Sequence, residues 1–154
     1  MSLLDEGVGE PTRICVLALP VKPASVYEAR AFTAVRLADW DMPELADALG
    51  LVVSELVTNA VRHGLPLTLG ENDEGFGAQP ELSVRLGLLR RGPQVLCAVW
   101  DGSDYGPIRR RNDPLAAGGR GLWLVESFSS RWGWVPMRRG GKVVWAITSA
   151  LGGI

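Results

Sequence analysis

Glu55, Asn59 and His63 stand at four-residue steps in the run LADALGLVVSELVTNAVRHG, and His63 is the sole histidine of the chain. Their types suit distinct tasks. A glutamate can take a proton from an attacking hydroxyl or orient it. An asparagine amide oxygen is a neutral, hard ligand for a Mg²⁺ that keeps its other positions for phosphates and water. On a helix turning about 100° per residue, these residues and Arg62 form one stripe, beside an apolar arc of Leu49, Val53, Leu56, Val57, Ala60 and Val61. Alone, the stripe does not outweigh an ordinary solvated face, and a histidine before a glycine often acts as a cap or dipole partner.

Two further stretches could complete a nucleotide site. In VWDGSDYGP, Asp101 follows an apolar strand and opens a glycine-containing turn with Gly102 and Gly106. An ionised carboxylate only accepts hydrogen bonds. It can therefore take the exocyclic amine of adenine, whereas guanine presents a carbonyl oxygen there. Asp-Gly at a strand end is also a common turn. In AAGGRGLWLVESF, a glycine-rich loop runs into a helix expected over 122–130. The backbone N–H groups of Gly119, Arg120, Gly121 and Leu122, at a positive dipole end, form a natural phosphate cradle to which Arg120 adds charge. A plain linker before a capped helix reads the same way. The arginines at 109–111 fit a solvated loop. No Walker A motif and no protein-kinase loop set is present, which excludes those phosphoryl-transfer folds.

The elements that must position these groups follow from periodicity. Residues 13–20 read as a buried strand, 24–40 as an amphipathic helix, and 43–63 as a helix with Pro43 in its first turn and Gly64 at its stop. Residues 65–80 form a glycine-rich, acidic loop. Strands are expected over 81–89 and 94–100 around an RRGP turn, and RWGWVPM and KVVWAIT read as a closing hairpin. Trp132, Trp134 and Trp145 are expected in the core, and Trp123 also more readily there than at a partner face. This order predicts an α+β, two-layer sandwich: a mostly antiparallel mixed sheet with helices on one face.

With 154 residues, a net charge of −1 and 47% hydrophobic residues, the chain reads as one globular domain over 13–149 behind a loose leader at 1–12. The charge gives no case for direct nucleic-acid binding. No apolar run is long enough to span a membrane, and the acidic start does not resemble a signal peptide. A cytoplasmic protein is expected, with Cys15 and Cys97 as small reduced hydrophobes.

SELVTNAVRHG, VWDGSDYGP and GGRGLWLVESFSSRWGW, in that order, resemble the N, G1 and G2 boxes of the GHKL ATPase superfamily, which has the Bergerat ATP-binding fold. The closer resemblance is to stand-alone anti-sigma-factor serine/threonine kinases. It covers roughly residues 13–149 apart from the 65–80 loop. It implies Glu55 as catalytic base, Asn59 as Mg²⁺ ligand, and His63 near the phosphates. It also implies Asp101 as the adenine-binding aspartate, and Gly119 and Gly121 as lid glycines. Where that superfamily often reads Asp-x-Gly-x-Gly, this chain has Asp101, Gly102, Ser103, Asp104, Tyr105 and Gly106.

The resemblance implies ATP and Mg²⁺ as cofactors, and as partner a small anti-anti-sigma-like protein, a sigma factor, or both, with a homodimer possible. A histidine kinase would need a phosphoacceptor histidine on a separate helix, and gyrase-like members need a second domain. The remaining readings are a kinase acting on a partner serine and an ATP-dependent anti-sigma module that binds with little or no transfer. Glu55 favours the kinase.

Overall fold

A computed structural model of the chain describes residues 12–63, 83–103, 117–138 and 140–150, with the side chains of 117–121 left out. Its elements run β1 (Arg13–Pro20), α1 (Ser25–Asp39), a 3-10 turn (Pro43–Leu45), α2 (Ala46–His63), β2 (Ser83–Arg91), β3 (Gln94–Asp101), α3 (Ala117–Phe128), β4 (Arg131–Pro136) and β5 (Lys142–Ser149). The strands form one sheet in the order β1-β2-β3-β5-β4. Every pairing is antiparallel, so the mixed component expected from sequence is not found among the described strands. The α+β sandwich itself is as expected. Helix α2 packs across β2, β3 and β5, with α1 and α3 on its two sides.

Side-chain alternation explains why one sheet face takes the helices. Val84, Leu86 and Leu88 of β2, Val95, Cys97 and Val99 of β3, and Val144 and Ala146 of β5 point the same way and are buried. Against them α2 sets Leu49, Val52, Val53, Leu56, Val57 and Ala60, all in the same core. Each of these buried valines and leucines contributes about 1.5–3 kcal/mol. Two hydroxyls buried in the helix layer are satisfied within their own helices: Ser54 Oγ donates to the Gly50 carbonyl at 2.8 Å and Thr33 Oγ1 to Ala29 at 2.8 Å. Both cysteines are free; Cys97 is buried and Cys15 half-buried.

Helix α1 ends without a glycine. Met42 N–H returns to the Leu37 carbonyl at 2.8 Å and Asp41 N–H to Ala38 at 3.1 Å. Those two bonds make a Schellman motif in which Asp41, at φ 60°, holds the left-handed position usually given to glycine. The β2–β3 hairpin closes through Gly92 and Pro93, with Arg91 paired to Gln94. Gly92 has φ 57°, the positive angle a type II′ turn requires at its first loop position.

Three expectations need correction. Residues 117–121 lie inside α3, not in a loop leading to a helix at 122. Leu122 and Val125, both at most 1% exposed, anchor that helix against α2, and packing overrides the poor helix propensity of three glycines. Secondly, the tryptophans are not uniformly core. Trp132 packs on the core, but Trp134 is 42% and Trp123 60% exposed, while Trp145 lies on the sheet face away from the helices. Thirdly, the helix expected over 43–63 begins as a 3-10 turn at Pro43 and becomes α-helical at Ala46. The leader as far as residue 11, the helix stop at Gly64, the 65–80 loop, Gly106 and the arginines at 109–111 lie outside the described residues.

Candidate functional site

The stripe on α2 forms as its spacing requires. Glu55 and Asn59 are half-buried, one turn apart, with roughly 6 Å of rise between them. Burial pushes the Glu55 carboxyl upward from its ordinary pKa, and the positive charge of Arg62 offsets part of that rise. Such a carboxylate is a stronger proton acceptor than a solvated one. The Asn59 amide makes no hydrogen bond within the described residues, so its oxygen is uncommitted. Arg62 and His63 are exposed in the last turn, where cations also suit the helix dipole.

Asp101 ends β3 on the helix-facing side and is 3% exposed. Its Oδ1 accepts the Ser103 N–H at 2.9 Å, closing an Asx-type turn, and the Lys142 ammonium at 2.9 Å. Oδ2 takes part in neither bond. Lys142 opens β5 directly opposite Asp101 in the ladder and is itself only 4% exposed. Gly141 precedes it at φ 85°. A Cβ there would run into the Asp101 carbonyl oxygen, so a side chain at that position would force β4–β5 away from the end of β3.

Helix α2 directs its stripe to the same end of the sheet. Leu45 and Ala48, at its start, line a cavity with Thr148, Ser149 and Ala150 at the far end of β5. Since α2 lies along β3 and β5, its final turns approach the pole where β3 ends and β5 begins. Asn59, in the last two turns of α2, and Asp101 thus lie toward the same pole of the sandwich, with Glu55 one turn back toward the middle of the helix. Leu122 is buried at 1%, and its N–H falls inside α3 rather than at a free helix start. The N–H groups an α-helix beginning at Ala117 leaves unbonded are those of its first turn. The four cradle residues expected from sequence, Gly119, Arg120, Gly121 and Leu122, therefore fall within the opening turns of α3 and not in a loop ahead of it.

Lys142 and Ser103 escaped the sequence reading. Alternation in KVVWAIT puts Lys142 on the same face as Val144 and Ala146, which signals a buried charge in need of a partner. The identity of that partner depends on β3–β5 register, which one strand cannot reveal. Among the described residues no helix is long and apolar enough to cross a membrane.

A comparison with curated proteins finds no significant match. The family model described as "Histidine kinase-like ATPase domain" matches residues 19–148, which takes in nearly all of the sheet and its three helices. The chain belongs to the histidine kinase-like ATPase family, an ATP-binding domain of the GHKL type.

Proposed function

We propose that this domain is an anti-sigma-type serine/threonine kinase that uses Mg²⁺ and ATP to phosphorylate a small anti-anti-sigma partner. The observation that carries this reading is the half-buried Glu55, with its raised pKa, one helical turn from the uncommitted amide of Asn59.

The donor set fits the cation. Among the described residues no group of three His, Cys, Asp or Glu side chains could hold a metal by itself. Asn59 would therefore supply a single oxygen ligand, with phosphates and water as the rest, an arrangement Mg²⁺ accepts. When bound, Mg²⁺ supplies charge neutralisation at the phosphates. Asp101 Oδ2 accepts the adenine amine, while the Lys142 and Ser103 bonds to Oδ1 hold the carboxylate in place. Glu55 takes the proton as the partner's serine Oγ attacks the γ-phosphorus; the bond from phosphorus to the β,γ-bridging oxygen breaks and ADP leaves. A phosphoserine, carrying about −1.5 to −2 charges, then weakens the partner interface.

The test is incubation with Mg²⁺-ATP and an anti-anti-sigma protein, followed by mass spectrometry of the partner. Serine phosphorylation that Glu55→Ala abolishes, with ATP binding retained, is the expected result. Phosphorylation undiminished in Glu55→Ala removes Glu55 from the base role. ATP binding with no transfer by the wild-type protein leaves the ATP-dependent anti-sigma module as the function.

A further inference from the structure

The sheet face away from the helices is uncovered by any described element, and its chemistry is one-sided. Its apolar surface is large: Ile14 is 66% exposed, Val16 64% and Val135 49%, with Leu96, Trp100 and Trp145 half-buried between them. Its charge is entirely basic. The five strands contain a single acidic residue, Asp101, and that one faces the helices. Ladder register puts Arg85, Arg91 and Arg131 on the open face.

None of these three, nor Arg138 in the β4–β5 turn, has a carboxylate partner among the described residues. Nη2 of Arg91 is buried and makes no hydrogen bond. At the end of this face, Arg85, Trp100, Met137, Arg138, Gly140 and Val143 line a cavity of about 550 Å³. The Arg85 guanidinium lies 5.6 Å from the centroid of the Trp100 ring, leaving its edge free to meet an acceptor.

We propose that this open face docks an acidic, amphipathic segment of a partner polypeptide. The segment lays its apolar side along β1, β3 and β5, and sets carboxylates against Arg85 and Arg138 at the cavity and against Arg91 and Arg131 at the margin. Guanidinium forks suit carboxylates bidentately, and a desolvated arginine without an acceptor is costly until one arrives. A second copy of the chain would bring the same arginines and no carboxylates to the contact. Nucleic acid would find aliphatic side chains where its phosphates need cations, on a chain of net charge −1. The cavity lies at the same end of the sheet as Asp101 and Lys142 but on its opposite face, lined by side chains other than those of the nucleotide site, so this inference does not rest on the kinase reading.

The experiment is fluorescence anisotropy with a labelled helical peptide bearing leucines on one face and glutamates on the other, beside a twin with lysines for the glutamates. Sedimentation of the protein alone accompanies it. The acidic peptide is expected to bind, more weakly as salt rises, and the lysine twin not to bind. In the double variant Arg85→Glu, Arg138→Glu, affinity should fall at least about tenfold, with the thermal unfolding midpoint unchanged. Absence of acidic-peptide binding, equal binding of the twin, or unchanged affinity in the double variant would overturn the proposal. So would a wild-type dimer that Val16→Asp dissociates, because the face would then belong to a second copy. A labelled oligonucleotide that binds in an Arg85-dependent manner would overturn it as well.

Discussion

Substituting Lys142 by methionine removes the ammonium from a buried ion pair while keeping the length and apolar stem of the side chain. Asp101, 3% exposed, would then keep only the Ser103 N–H on Oδ1. Removing one partner of a buried pair costs about 3–5 kcal/mol, because a desolvated charge stays behind. Against a total stability of about 5–15 kcal/mol, that is a large fraction. In a domain of this size each kcal/mol moves the midpoint by about 2–4 °C, so a fall of about 6–20 °C is expected. The assay is thermal and urea unfolding of Lys142→Met, Asp101→Asn and the double variant. In the double variant both charges are gone and Asn can still accept the Ser103 N–H, so most of the loss should be recovered. A coupling energy of several kcal/mol follows. If Lys142→Met unfolds within about 1 kcal/mol of the wild type, the pair is solvated and the reasoning from its burial is refuted.

Glu55→Gln should stabilise the fold at neutral pH, because burial opposes the charged form. A carboxyl whose folded pKa is raised binds protons more tightly in the native state. The penalty it carries is therefore full above the folded pKa and vanishes below the ordinary glutamate value. Unfolding measured across that pH range should show the Gln advantage fading as pH falls; an advantage that is flat or grows on acidification would contradict it. Asp41→Gly relieves a left-handed backbone position and should raise stability by about 0.5–1 kcal/mol in urea titrations, with a loss counting against the Schellman reading. Thr148 Oγ1 is buried without a hydrogen-bond partner, so Thr148→Val should raise stability by about 1 kcal/mol, whereas a fall in the midpoint would mean the hydroxyl is bonded.

The legible parts of this fold are those whose signal is local. Helical spacing in 45–63 places α2 and separates its apolar arc from the Glu55 and Asn59 stripe, as found. Alternation and an RRGP turn place the β2–β3 hairpin within two residues. What stayed illegible depends on tertiary contact. Three glycines argue against a helix at 117–121, yet the buried Leu122 and Val125 extend α3 back to Ala117. Alternation in RWGWVP identifies a strand but not that β4 is the sheet edge, which leaves Trp134 exposed. Asp101 is visible as a strand-end carboxylate, but its ion pair with Lys142 spans 41 positions and exists only in the β3–β5 register.

The central claim is that Asn59 and Asp101, at one pole of the sandwich, form an ATP site. Calorimetric titration with ATP and with GTP, each with Mg²⁺, of the wild-type protein and of Asn59→Ala tests it most directly. The account predicts binding of ATP in preference to GTP, and a loss of the Mg²⁺-dependent affinity in Asn59→Ala. At a free ATP concentration of about a hundred times Kd, the wild type should also gain roughly 2.7 kcal/mol of stability. Binding of neither nucleotide, or an Asn59→Ala variant that binds Mg²⁺-ATP as the wild type does, would contradict it.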